Sequence, residues 1–220
     1  MAVTPTLNFT FKILLFIHIL AGTTGLVTGI LNIVRKKGDK PHKKIGRLFL
    51  YGMIINGIAG LFMSIIHFNL FLFIIGIFSI YLASTGQRYL SLKNISTNQK
   101  PKTIDWVLSV TMLFFAIAFI IYGVLLLLSN KNFGIVLLVF GFISSSMAIQ
   151  DFRNYKAKNT VKNFWLLVHI QRMIGSFIAA FTAFLVVNNT ILPGVIAWLL
   201  PTVVFVPLIF FLVRKYKVTS

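Results

Sequence analysis

Apolar residues run along this chain in seven long stretches, near 10–34, 48–68, 70–90, 107–129, 135–152, 165–187 and 194–213, with short polar segments between them. Each stretch is close to the roughly 20 residues that a helix needs to cross the hydrocarbon core of a bilayer. No water reaches that core, so each segment must satisfy its own backbone and is predicted to be helical. Asn69 alone divides the second stretch from the third, which predicts a tight hairpin. The third closes on the polar run Ser84, Thr85, Gly86, Gln87, Arg88. The expected fold is all-α, a polytopic membrane bundle of seven transmembrane helices forming a single domain over 1–220.

Charge then orients the bundle. Of the 21 basic residues, only Lys12 and Lys131 fall on one side. The loop at 35–47 alone holds Arg35, Lys36, Lys37, Lys40, Lys43, Lys44 and Arg47. Arg88, Lys93, Lys100, Lys102, Arg153, Lys156, Lys158, Lys162, Arg172, Arg214, Lys215 and Lys217 follow on the same side. The positive-inside bias therefore predicts an N-terminus outside and a C-terminus in the cytoplasm. Six or eight helices would scramble the alternation.

Composition agrees. Hydrophobic residues make up 58% of the chain and charged residues 11%, against about 25% charged in a soluble domain. The net charge of +18 reads as topology because it clusters in short loops, and no nucleic-acid-binding motif accompanies it. The absence of cysteine excludes disulfides, thiolate catalysis and cysteine-ligated metal. The leader Met1 to Asn8 carries no charged side chain, and Phe11 to Val34 is too long for a signal-peptide core of about 7–15 residues. The first stretch is expected to remain as a spanning helix. The abundance of Lys, Asn, Ile and Phe suits an AT-rich bacterial genome.

Small residues mark where membrane helices touch. They gather in the first helix (Gly22, Gly25, Gly29), the second (Gly52, Gly57, Gly60) and the sixth (Gly175, Ser176, Ala179, Ala180, Ala183). These three are expected to form the packed centre, with the third, fourth and seventh facing lipid. Helix packing alone is a sufficient reading of the glycines.

Ionisable side chains at membrane depth are functional suspects. Here they are His18, His67, His169 and Arg172, with His42, Arg47 and Asp151 at the cytoplasmic edge. At 1.5 Å per residue, His18 lies roughly 25 Å and His67 roughly 30 Å above that edge, about one turn apart. Gly22, Gly25 and Gly29 continue the stripe of His18, and Asn56 and Gly60 lie near the face of His67. Two histidines above a smooth seam could hold haem b. His42 stands 25 residues from His67, about 37 Å along a helix, too far for an inner site within a core of about 30 Å. Each histidine also has a plainer reading, as an interfacial anchor or an interhelical hydrogen bond.

Two further constellations stand out. His169, Arg172, Met173, Ser176 and Ala180 share one helical face. An arginine there suggests an anion site, a pair with Asp151, or a side chain that only snorkels. His42, His169 and Asp151 together could bind a metal such as catalytic zinc. Against that, membrane-embedded zinc hydrolases place two histidines at i, i+4, and this chain has no such pair. Proton-coupled transport usually needs a carboxylate inside the membrane, whereas Asp39, Asp105 and Asp151 all read as edge residues.

Two local patterns carry a resemblance. One is His18-Ile-Leu-Ala-Gly22, then Gly29, then His42-Lys-Lys-Ile-Gly46-Arg47, a His-x-x-x-Gly-Arg element. The other is His169-Ile-Gln-Arg172-Met173-Ile-Gly175-Ser176, closing with Trp198-Leu-Leu-Pro201-Thr202. Together they resemble a family of bacterial multi-pass inner-membrane proteins known as a domain of unknown function. The resemblance implies the fold and the location, and no activity. The histidines are also loosely similar to those of di-haem transmembrane b-type cytochromes. The functional expectations are therefore three. The first is a redox protein binding haem b through His18 and His67 and passing electrons between quinone and a membrane-protein partner. The second is a small transporter or an accessory subunit of a membrane complex. The third is a membrane-embedded metal-dependent hydrolase.

Overall fold

A computed structural model describes residues 5–95, 99–156 and 161–218. Lys158 and the first four residues of the leader lie outside the described residues. Seven helices follow in order: α1 (Pro5–Val34), α2 (Lys40–Ile66), α3 (Leu70–Tyr89), α4 (Thr103–Leu128), α5 (Phe133–Tyr155), α6 (Phe164–Asn188) and α7 (Gly194–Tyr216). All seven are long and apolar enough to cross a membrane, and no strand occurs among the described residues.

The main departure from expectation is the start of α2, eight residues earlier than hydropathy places it. The basic run at 40–47 reads as loop, yet it coils because its start is well capped. The Asp39 carboxylate accepts the His42 backbone N–H at 2.7 Å, and a proline occupies the first turn, where its missing N–H is harmless. Gly38 turns the chain into this cap with φ +85°, a conformation that glycine adopts without a steric penalty. On the other side of the turn, the Lys37 ammonium binds the carbonyls of Asn32, Ile33 and Arg35 at 2.5, 2.6 and 3.0 Å. It thereby closes the C-terminus of α1, where the helix dipole favours a cation.

The chain divides into two compact units. The first comprises Met1–Ser84 and Ile174–Phe181. Within it the α1 glycine stripe meets a matching ladder on antiparallel α2. A Cβ added at Gly22 would fall on Asn56, one at Gly25 on Met53, and one at Gly29 on Phe49 and Phe177. In return, a Cβ at Gly52 would lie 3.0 Å from the Ala21 carbonyl oxygen and 3.2 Å from the Gly25 nitrogen. Here backbone packs on backbone, the close approach that small residues permit in lipid. Gly57 and Gly76 repeat this between α2 and α3, each within 3.1 Å of the other's carbonyl oxygen in the same sense.

The second unit comprises Thr85–Met173 and Thr182–Ser220. In it α4 and α5 close on each other through Gly123, Gly134 and Gly141. A Cβ at Gly123 would stand 3.0 Å from the Gly134 carbonyl oxygen, and one at Gly141 2.9 Å from that of Ala116. Trp198 of α7 packs its indole edge-on against Phe133 and Phe140.

The expected centre needs correction. In the most apolar window of α3, 61% of residues are buried, against 22% in α1. A glycine stripe reports one close neighbour. Burial on all sides needs several, and α3 has them while α1 does not.

Candidate functional site

The second unit buries a charged network, built from the last turn of α3, the first turns of α4, the last turns of α5 and the first half of α6. Asp151 and Arg172, on α5 and α6, are both 0% exposed. Their ion pair spans 2.9 Å from Arg172 Nη2 to Asp151 Oδ1. The same nitrogen donates to the Met147 carbonyl at 2.9 Å. Tyr89 of α3 donates to Asp151 Oδ1 at 2.7 Å. Ser109 of α4 donates to Asp151 Oδ2 at 3.0 Å. Asn154, one turn from Asp151, supplies the Tyr89 oxygen with a donor at 2.9 Å.

The network continues outward. Ser109 Oγ lies 3.2 Å from the Tyr155 hydroxyl, which reaches the Asp105 carbonyl at 3.3 Å. Asp105 sits at the third position of α4 and accepts the Lys102 backbone N–H at 2.8 Å. Its carboxylate also takes Arg88 in a fork, Nε at 2.7 Å and Nη2 at 2.9 Å. The Arg88 side chain retains 24% exposure while Asp105 has none. Two carboxylates and two guanidiniums thus balance, and the pairing offsets the cost of taking their charges out of water. Tyr89, Tyr155, Phe164 and Leu92 pack around them with Trp106 and Phe152, a low-dielectric wall that strengthens each charged contact.

Arg172 and Asp151 pair. His169 stands one turn before Arg172 with its Nδ1 2.8 Å from the Gly86 carbonyl. Gly86 is where α3 and α6 touch, since a Cβ there would stand 2.8 Å from Met173 Sδ and 3.0 Å from Arg172 Cβ. In the first unit, His18 and Asn56 form a reciprocal pair. His18 Nδ1 is 3.0 Å from the Asn56 carbonyl, and the Asn56 amide donates to the His18 carbonyl at 2.9 Å. A Cβ at Gly60 would be 3.5 Å from the His18 ring, so that ring lies at the level of residues 56–60 on α2. His67 caps the C-terminus of α2 and meets the Phe11 ring edge-on at 4.5 Å. The two imidazoles are therefore separated by about two helical turns, roughly 10 Å, and the structure does not bring them together. His42 occupies the first turn of α2, and Arg47 is exposed. Asp39, outside the spanning helices, is held below the ordinary carboxylate value, chiefly by the His42 N–H. Among the described residues no three His, Asp or Glu side chains gather as a metal-holding group.

Sequence reasoning missed Tyr89, Ser109, Asn154, Tyr155 and the Arg88–Asp105 fork. One signal was available: each buried carboxylate is a lone acid among basic residues at the end of a spanning helix.

Residues 15–152, well over half of the 220-residue chain, match the family described as "Predicted membrane protein (DUF2306)". The chain belongs to this family. No curated protein and no solved structure matches it. The matched stretch includes His18, His42, Asn56, Tyr89, Asp105, Ser109 and Asp151, while Asn154, Tyr155, His169 and Arg172 lie beyond it. The protein is thus a multi-pass integral membrane protein of a family that carries no assigned activity.

Proposed function

We propose that this protein is a proton-linked transporter of small anions in the bacterial inner membrane, with its N-terminus outside and its C-terminus in the cytoplasm. The observation that carries the reading is the fully buried Asp151–Arg172 pair inside helices fit to span a bilayer. Intramembrane charges are retained mainly where they bind ions, protons or substrate. The 19 basic residues on the side of the 35–47 loop support the orientation.

The chemistry follows from the contacts. While Asp151 is ionised, it holds Arg172, Tyr89 and Ser109. A proton on Asp151 cancels the charge that Arg172 faces and turns one acceptor oxygen into a donor. The guanidinium then suits an anionic substrate group, which it binds in a bidentate fork. Proton and anion enter together, so the loaded site is as neutral as the empty one. Arg88 and Asp105 keep the outer end of the network charged and fixed.

The test uses proteoliposomes loaded with a pH-sensitive dye and a panel of small carboxylates and inorganic anions. At least one anion should acidify the lumen under an inward proton gradient, and Asp151→Asn should abolish the acidification. Folded wild-type protein that acidifies the lumen with none of them would overturn the reading and favour an accessory-subunit role. The haem reading needs two imidazoles on one iron, and the two-turn separation of His18 from His67 does not support it.

A further inference from the structure

The turn between α1 and α2 gathers a second set of polar groups, in the first unit and independent of the transport reading. Asn32 and Arg35 lie on one face of the end of α1, three residues apart. His42 and Gly46 lie on one face of the start of α2, four apart. The two faces meet, since a Cβ at Gly46 would stand 3.2 Å from Asn32 Nδ2. Asn32 Oδ1, Arg35 Nε and His42 Nδ1 are shielded from solvent and meet no hydrogen-bond partner among the described residues. Buried polar atoms left this way are uncommon in folded proteins and point to a ligand or water. Around them Lys40, Lys43, Lys44 and Arg47 are all exposed. Asp39 is the only acid among residues 35–47, and it is engaged by the His42 N–H and by Arg35 Nη2 at 3.5 Å.

We propose that this cleft binds the phosphodiester of an anionic phospholipid headgroup. Arg35 Nε and the Nδ1–H tautomer of His42 donate to the phosphate oxygens, and Lys40, Lys43 and Lys44 supply the surrounding field. The source is lipid rather than free phosphate because of where the cleft lies. It sits at the ends of two spanning helices, and Leu31, Val34 and Leu48 beside it are exposed large apolar side chains placed to meet acyl chains. Positive-inside topology alone would explain exposed lysines, but not inward-turned donors without partners.

The test is a titration of the detergent-solubilised full chain with dioleoyl phosphatidylglycerol, with phosphatidylcholine and inorganic phosphate as parallel arms, read by thermal unfolding. Phosphatidylglycerol should raise the melting temperature saturably and the other two should not. Arg35→Gln with His42→Gln should weaken the apparent affinity at least fivefold. Lys40, Lys43 and Lys44→Gln, all at exposed positions, should lose roughly fivefold per cation removed. Lys93→Gln should change nothing. If the Arg35/His42 variant melts lower without lipid, the exposed triple variant still decides. The proposal is overturned if phosphatidylcholine stabilises equally, if inorganic phosphate reproduces the effect, or if the triple variant binds as wild type.

Discussion

Replacing Asp151 with alanine would strand the Arg172 guanidinium where neither partner reaches solvent. The carboxylate accepts hydrogen bonds from Arg172, Tyr89 and Ser109. Its loss leaves a buried cation and two hydroxyls to be satisfied elsewhere. Breaking a buried pair from one side is destabilising by about 3–5 kcal/mol. Arg172 keeps the Met147 carbonyl and Tyr89 keeps Asn154, which places the expected loss near the lower end, about 3 kcal/mol. Arg172→Met should give a similar loss, because it leaves the carboxylate charge uncompensated. The double variant Asp151→Leu/Arg172→Met removes both charges and should fall only about 1 kcal/mol below wild type. The assay is equilibrium unfolding in mixed micelles across this double-mutant cycle. Single variants within about 0.5 kcal/mol of wild type, or a double variant as costly as the two singles together, would refute the reasoning. The double variant also separates stability from work, since it should fold and yet transport nothing.

Other consequences are more local. Gly52→Val places a side chain against the Ala21 carbonyl and the Gly25 nitrogen, backbone atoms that cannot rotate away, and should lower stability by about 1–3 kcal/mol in the same assay. Asp39 is depressed below its ordinary value in the folded chain, so its contribution is complete above that value and is lost as pH falls through the folded one. The melting gap between wild type and Asp39→Ala should therefore be full at neutral pH and narrow below about pH 4. A gap that widened on acidification would contradict this sign. Protein purified from haem-replete cells should show no Soret band, and a band lost in His18→Ala would reinstate a haem site.

Hydropathy made the seven spans legible because lipid leaves the backbone no alternative to the helix. It misjudged the start of α2, where capping by Asp39 outweighs the polarity of Lys40 to Arg47. The glycine stripe correctly marked the α1–α2 seam, with its three positions falling on Asn56, Met53 and Phe49. It said nothing of α3, whose burial comes from many ordinary Leu, Ile and Phe residues. The Asp151–Arg172 pair was readable as one of several options, since an arginine within a helix calls for a counter-charge and Asp151 is one of only three acids in the chain. Tyr89, Ser109 and Asn154 were not, because each is unremarkable until the fold brings Tyr89 and Ser109 to Asp151 from 62 and 42 residues away and Asn154 to Tyr89 from 65. Counting from the loop edges placed His18 and His67 about one turn apart. The packing of His18 against Asn56 and Gly60 sets the true separation.

Infrared difference spectroscopy of the reconstituted protein tests the central assignment most directly. The chain has only three carboxylic side chains, Asp39, Asp105 and Asp151, so a protonated carboxyl stretch has few possible owners. Acidification in the presence of a transported anion should produce one such band, sensitive to labelled aspartate and absent in Asp151→Asn. A band that persisted in Asp151→Asn, or that disappeared only in Asp105→Asn, would contradict the claim that Asp151 carries the proton.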